Sequence, residues 1–183
     1  MALYSAYGLH IESPLELSLP SPGSAMPDVV FEQGDLSALG ISPPEGCEWA
    51  CALPDGVLLD IENTGRFYIS QGRRVVMEPL PDCPAETVAV IARAIVLGTV
   101  LVQRGQAIFH ASTVRVGDGA VAFMGAKQAG KSTTACAFHS CGHPLLADEI
   151  LAVREADGAL VALPGLSHLK LTPDAANHFR RLT

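Results

Sequence analysis

Nine consecutive residues in the last third of the chain have the composition and spacing of a phosphate-binding loop. The motif GxxxxGK[ST], followed by a threonine, is matched by Gly125, Ala126, Lys127, Gln128, Ala129, Gly130, Lys131, Ser132 and Thr133. Glycines let backbone N–H groups approach phosphate oxygens, the lysine reaches the β- and γ-phosphates, and the serine hydroxyl is placed to ligate Mg²⁺. The run therefore predicts a site for ATP and Mg²⁺, against the alternative of a chance glycine-rich turn.

Three further side chains are candidates for chemistry on a nucleotide held by this loop. Asp148 and Glu149 follow the apolar segment 144–147, and an acid at the carboxyl end of a strand in a parallel sheet borders the ligand crevice. Such an acid can bind Mg²⁺ or accept the proton of an attacking hydroxyl, but exposed acid pairs at strand ends are common. His110 lies in an apolar segment, where a hydrogen-bonded core histidine is the usual alternative to a catalyst. Both readings stay open for all three residues.

Hydrophobic periodicity predicts the elements that position these residues. An apolar strand leads into the loop and a helix follows it, which is the context that the loop requires. We expect strands at 106–115, 120–124, 144–147, 150–154 and 159–163, and helices at 84–104, 131–140 and from Thr172 onward.

The preceding part of the chain is rich in strand and turn signals. We expect strands at 2–11, 29–32, 57–62, 66–70 and 75–78, the last three as a meander. The sequence thus predicts two regions, a strand-rich part at 1–84 and a phosphate-loop core at 85–183.

Composition narrows the classes of partner. Hydrophobic residues make up 49% of the chain and the net charge is −7, which predicts a folded protein without a basic field for nucleic acid. The most apolar run, 88–102, is interrupted by Arg93 and is shorter than the roughly 20 residues of a membrane-spanning helix. Five cysteines without a CxxC pair, and no signal peptide, favour reduced thiols in the cytoplasm.

Residues 110–149 together resemble the catalytic core of HPr kinase/phosphorylase. The resemblance rests on His110, the loop at 125–132, the Gly142-His143 pair and the Asp148-Glu149 pair. Residues 4–17 and 164–176 more loosely resemble stand-alone HPr-kinase-like proteins, some of which are similar to kinases of lasso-peptide precursors. The resemblance implies an α/β fold, with a phosphate-loop core like that of phosphoenolpyruvate carboxykinase and a mixed sheet.

The same resemblance implies roles for the candidate residues. Asp148 would be the general base for the acceptor hydroxyl, His110 would lie near the transferring phosphate, and Ser132 and Glu149 would serve the metal. The family usually shows Asp-Asp where this chain has Asp-Glu, and its downstream glycine-rich signature finds no match. We therefore expect either a C-terminally truncated core or a minimal one.

The leading hypothesis is an ATP-dependent kinase for a serine or threonine hydroxyl of a peptide or protein. The alternatives are a nucleotide-binding regulatory module without turnover and a small-molecule kinase. The latter usually carries several arginines, whereas only Arg154, Arg180 and Arg181 follow the loop here. The acceptor, the direction of phosphotransfer and the oligomeric state, a homo-oligomer included, stay open.

Overall fold

The computed structural model describes residues 1–166 together with residues 169, 171, 177 and 179, and the predicted helix from Thr172 lies largely outside these residues. The chain is a mixed α/β protein with two sheets and few helices, divided into two compact units, Met1–Gly105 and Gln106–Thr183. The boundary therefore follows the long helix instead of preceding it at residue 84. Gln103 at the end of that helix explains the grouping, since its Nε2 donates to the backbone oxygen of Ile69.

Seven strands form the sheet of the first unit, in the order β1-β2-β3-β7-β6-β5-β4. The β2–β3 and β3–β7 pairs are parallel and the others are antiparallel, so this sheet is mixed. The predicted meander is confirmed as β5, β6 and β7. The strands are β1 (Ala2–Ala6), β2 (Leu9–Ser13), β3 (Val29–Gln33), β4 (Ala50–Leu53), β5 (Gly56–Ile61), β6 (Gly65–Ser70) and β7 (Arg74–Pro79).

The opening segment is a hairpin where we predicted one strand over 2–11. Ala6 pairs with Leu9 across a two-residue turn in which Tyr7 has φ 55° and Gly8 has φ 74°. Two central residues with positive φ form the tight turn whose twist suits an antiparallel pair. Tyrosine is an unusual residue for this conformation, so Tyr7-Gly8 lacks the Asn-Gly or Asp-Gly pattern that signals such a turn.

A long helix closes the first unit and confirms the prediction for 84–104. It consists of α1 (Ala85–Ile91), a π-helical stretch (Ala92–Val96) and α2 (Leu97–Gln103). The span Ala85–Gln103 is long and apolar enough to cross a membrane, a test that core helices of soluble proteins also pass. Its polar side chains contact the same unit: Arg93 donates to the backbone oxygen of Leu17 at 2.9 Å.

The second unit contains one described helix, α3 (Lys131–Ser140), and five strands. The predicted strands and the helix after the loop are confirmed. The strands are β8 (Ala107–Val116), β9 (Gly119–Met124), β10 (Leu145–Ala147), β11 (Ile150–Ala156) and β12 (Ala159–Leu163).

Every strand pair of the second sheet is antiparallel, which corrects our expectation of a parallel or mixed sheet around the loop. The long strand β8 pairs with β9, β10 and β11, and β12 pairs with β11. Ala147 lies opposite Thr113 and Ile150 lies opposite His110. Asp148 and Glu149 therefore lie between β10 and β11, where the pairing of one strand with β8 ends and that of the next begins. An antiparallel sheet thus brings the acidic pair close to His110 without a parallel-sheet edge.

A disulfide joins Cys47 and Cys51, before and within β4, where we expected reduced thiols. The two cysteines lie four residues apart, and the turn leading into β4 brings their Cα atoms to 5.9 Å. Cys83, Cys136 and Cys141 are free thiols.

Candidate functional site

The predicted phosphate loop joins β9 to α3. Gln128 and Gly130 have positive φ, 68° and 87°, and the N–H of Ala129 donates to the oxygen of Ala126 at 3.1 Å. These features curl the loop back toward the start of the helix. The first helical hydrogen bond of this turn runs from the Thr134 N–H to the Gly130 oxygen at 2.8 Å. The three preceding N–H groups have no helical acceptor, so the start of α3 offers donors to an anion.

The Lys131 ammonium lies against the loop that it would serve. Its Nζ donates to the backbone oxygens of Gly125 and Ala126 at 3.0 and 3.1 Å. A phosphate group entering the loop offers this cation a charge-assisted partner in place of two neutral carbonyls. Lys131 is therefore already placed at the mouth of the loop.

Ser132 and Asp148 meet, although they lie on different elements. The Ser132 hydroxyl, in the first turn of α3, donates to Asp148 Oδ1 at 3.0 Å. The residue expected at the metal and the carboxylate expected as the base thus share a hydrogen bond. Asp148 is 2% exposed, and its backbone N–H donates to the oxygen of Leu166 at 2.9 Å, so that its main chain is also held.

Ser112 is a member of this site that our sequence analysis did not identify. Its hydroxyl donates to the same Asp148 Oδ1 at 2.5 Å and lies 3.5 Å from Ser132 Oγ. The signal was present in the strand period, because residues two apart on a strand share a face. His110 had been identified on β8, and Ser112 is the next residue on its face.

Glu149 adopts an unusual backbone conformation. Its φ is 71°, and the N–H of Ile150 donates to the oxygen of Asp148 at 3.0 Å, which closes a γ-turn around Glu149. Non-glycine residues in this region carry backbone strain, and such strain clusters at functional sites. The turn interrupts the strand path between β10 and β11 at the acidic pair.

His110 is anchored to this strained turn. Its Nδ1 lies 3.0 Å from the backbone oxygen of Glu149. A carbonyl oxygen can only accept, so Nδ1 donates its proton in this contact. This contact gives His110 a defined orientation beside the acidic pair, in place of the buried core position that was the alternative.

A cavity of about 430 Å³ collects these groups within the second unit. Every described residue that lines the cavity was singled out by the sequence analysis. Gly125, Ala126 and Ala129 belong to the loop but are not among these described lining residues. The lining consists of His110, Lys127, Gln128, Gly130, Lys131, Ser132, Thr133, Asp148 and Glu149.

The charges of the cavity suit a nucleotide only together with a cation. Lys127 and Lys131 favour phosphate oxygens, but Asp148 and Glu149 would repel them at close range. Among the described residues, no group of three or more His, Cys, Asp or Glu side chains could hold a metal by itself. Mg²⁺ commonly binds through one or two protein oxygens, substrate phosphates and water, and Ser132 beside Asp148 fits that mode.

The buried thiol of Cys136, on α3, is not a competing nucleophile. Burial raises the pKa of Cys136 on α3, and the Ser140 hydroxyl offsets this only in part. The thiol therefore stays protonated at neutral pH and acts in packing.

Comparison with known proteins adds no relative to this geometry. The chain matches no protein-family model, no curated protein and no solved structure. The resemblance to HPr kinase/phosphorylase therefore stays a prediction from the residues of 110–149.

Proposed function

We propose that this chain is an ATP- and Mg²⁺-dependent phosphotransferase that acts on a serine or threonine hydroxyl of a peptide or protein. The observation that carries the proposal is the Ser132–Asp148 hydrogen bond, which joins the phosphate loop to a buried carboxylate in one cavity. A loop that only binds phosphate needs no such carboxylate. A phosphotransferase needs both a phosphate cradle and an acid that can serve the metal or the acceptor.

Nucleotide binding rests on the loop and on the start of α3. The N–H groups of residues 131–133 and the Lys131 ammonium bind the β- and γ-phosphates, and Ser132 contributes an oxygen to Mg²⁺. Bound Mg²⁺ neutralises charge that develops on the phosphates. This arrangement explains how a chain with a net charge of −7 attracts an anion, since the attraction is local.

In the proposed transfer step, Asp148 acts as the general base. Its carboxylate accepts the acceptor hydroxyl proton while the hydroxyl oxygen forms a bond to the γ-phosphorus. The bond between the γ-phosphorus and the β,γ-bridging oxygen breaks, and ADP leaves with that electron pair. His110, held through Nδ1, presents Nε2 near the transferring phosphate, and Glu149 serves the metal.

We also propose that the second unit is a phosphate-loop core of the phosphoenolpyruvate-carboxykinase/HPr-kinase type. The order strand, loop, helix and acidic pair supports it, while the antiparallel sheet around β8 is a point of difference. We propose a peptide or protein acceptor and no nucleic-acid or membrane partner. The cytoplasmic location stays a prediction, and the Cys47–Cys51 disulfide counts against the reduced thiols on which it rested.

One observation favours the alternative of a nucleotide-binding module without turnover. The cations that line the cavity are lysines, and no arginine is among its described lining residues. Phosphoryl transfer usually recruits an arginine or an equivalent cation to stabilise the transition state. The same observation counts against a small-molecule kinase with an arginine-rich lid.

Mass spectrometry of a candidate acceptor tests the proposal. The purified protein is incubated with ATP, Mg²⁺ and a peptide that ends in serine, alongside an Asp148→Asn variant. We expect the peptide to gain one phosphate with the wild type and far less with the variant. ATP binding without transfer to any of a panel of hydroxyl peptides would favour the module.

A further inference from the structure

We infer that Ser112 is a positioning residue that fixes the Asp148 carboxylate so that Ser132 presents its oxygen to the nucleotide-bound cation. The inference rests on the proposed function, because it concerns the metal-dependent part of nucleotide binding. Ser112 is fully buried, with an exposed fraction of 0%, and its Oγ lies 2.5 Å from Asp148 Oδ1.

Proton counting gives the direction of each contact. An ionised carboxylate only accepts, so both Ser112 and Ser132 donate their single hydroxyl proton to the same Asp148 oxygen. Ser132 Oγ is then left with lone pairs, which are what a cation requires of a ligand. Asp148 orients Ser132, and Ser112 holds the Asp148 oxygen in place for it.

The backbone on either side of Ser112 is regular, which suits this residue to hold the Asp148 carboxylate in place. Ser112 lies in the middle of β8, between Ala111 and Thr113, which pair with Met124 and Ala122 of β9. Its position is therefore fixed by the sheet. Asp148 instead sits at the break between two ladders and beside the strained turn at Glu149. A rigid donor holding a carboxylate at an irregular site is the arrangement by which outer residues orient metal ligands.

Thr113 supplies a matched control on the opposite face of the same strand. It is also fully buried, and its Oγ1 finds no hydrogen-bond partner among the described residues. Thr113→Val keeps the shape and removes a buried hydroxyl that makes no hydrogen bond to a described residue. If substitutions in β8 simply disturb the strand, Ser112→Ala and Thr113→Val should both weaken metal-dependent binding. If Ser112 positions Asp148, only Ser112→Ala should do so.

The experiment measures ADP affinity by calorimetry twice, with Mg²⁺ and with EDTA, and takes the ratio as the metal-dependent gain. For Ser112→Ala we expect that gain to fall by about 10–100-fold, the usual cost of removing an outer residue of a metal site. ADP affinity in EDTA should stay unchanged, because the loop itself is intact. Ser112→Thr should restore the gain, and Ser132→Ala should lose it.

Manganese provides a readout that does not depend on activity. Electron paramagnetic resonance of Mn²⁺ with ADP and wild-type protein should report a bound ion whose affinity falls in Ser112→Ala and is kept in Thr113→Val. Thermal unfolding of each variant shows whether it is folded. If Ser112→Ala is not folded, Ser112→Cys replaces it in both measurements, because a thiol is a weaker hydrogen-bond donor than a hydroxyl.

The outcomes separate the inference from the function on which it rests. An unchanged metal-dependent gain in Ser112→Ala, or an equal loss in Thr113→Val, overturns the positioning role. If the wild type binds ADP in neither condition, the proposed function and the inference both fail.

Discussion

The two units of this chain fill their interiors with different kinds of side chain. In the first unit the strands and the long helix bury large apolar residues, among them Ile11, Phe31, Leu58, Phe67, Ile69, Met77, Leu97 and Leu101. In the second unit most of the described buried apolar residues are small, such as Ala111, Val114, Ala135, Ala147 and Ala152, although Leu151 and Leu166 are also buried. This unit buries the polar residues Ser112, Thr113 and Asp148, whereas the first buries Ser13 and Thr64 and no carboxylate among its described residues.

Both units expose large apolar side chains, among them Met26 and Trp49 in the first and Met124 and Leu160 in the second. A region that buries little apolar area and places a carboxylate inside gains less from the hydrophobic effect. The first unit is therefore expected to gain more apolar stabilisation than the second. If the second unit binds a nucleotide as proposed, the ligand should raise the stability of that unit.

The largest expected effect concerns the buried carboxylate of the second unit. Asp148→Asn keeps the size of the side chain but removes proton acceptance, so the rate of phosphotransfer should fall by about 10²–10⁴-fold while ATP still binds. Single-turnover kinetics with a phosphorylatable peptide measure this. Asp157→Asn, in the exposed turn between β11 and β12, is the control and should leave the rate unchanged. Equal rates for Asp148→Asn and the wild type would remove Asp148 from the role of base.

The apolar core of the first unit predicts the next effect. Phe67 is 0% exposed and lies between Leu59 and Met77 on the neighbouring strands. Phe67→Ala should lower the free energy of unfolding by about 3–5 kcal/mol, measured by urea denaturation. Phe109→Ala makes the same change at a residue of the second unit that is 43% exposed, and it should cost much less. Similar costs at both positions would contradict the contrast between the units.

The third largest effect is expected for Lys131, the lysine of the phosphate loop. Lys131→Ala removes a charged donor, so ATP affinity should fall by about 10–100-fold, equivalent to about 1.5–3 kcal/mol. Lys127 also lines the cavity but is exposed and precedes the helix, so Lys127→Ala should weaken binding less. Calorimetry of both variants gives the ranking, and the reverse ranking would show that Lys127 is the main phosphate contact.

The smallest effect tests the polar interior of the second unit. The Thr113 hydroxyl is buried without a partner among the described residues, so Thr113→Val removes an unsatisfied group. We expect the free energy of unfolding to rise by about 1 kcal/mol, read from a higher melting temperature. A decrease would mean that the hydroxyl is hydrogen-bonded in solution.

Local signals explain what the sequence could predict. The spacing of Gly125, Gly130 and Lys131 predicted the loop, and the period of residues 84–104 predicted the helix, because each pattern is read along neighbouring residues. The strands at 150–154 and 159–163 were also read from local patterns, and the turn between them contains Asp157 and Gly158, which both have positive φ.

Pairing between distant segments explains what was missed. The strand period places Ser112 on the face of His110, but it does not show that Asp148, 36 residues away, lies beside that face. The antiparallel direction of the second sheet was missed for the same reason. The unit boundary at Gly105 depended on which sheet the long helix packs against, which its own period does not reveal.

Hydrogen exchange of backbone amides with and without Mg²⁺ and ATP tests most directly the claim that the cavity of the second unit binds a nucleotide. We predict slower exchange of residues 125–133, where the loop and the start of α3 would contact phosphates, and of residues 147–149, where the acidic pair would meet the metal. Strands β5 to β7 should exchange as before, and Lys131→Ala should abolish most of the protection. Unchanged exchange in the loop of the wild type at saturating ATP, or equal protection in Lys131→Ala, would contradict the account.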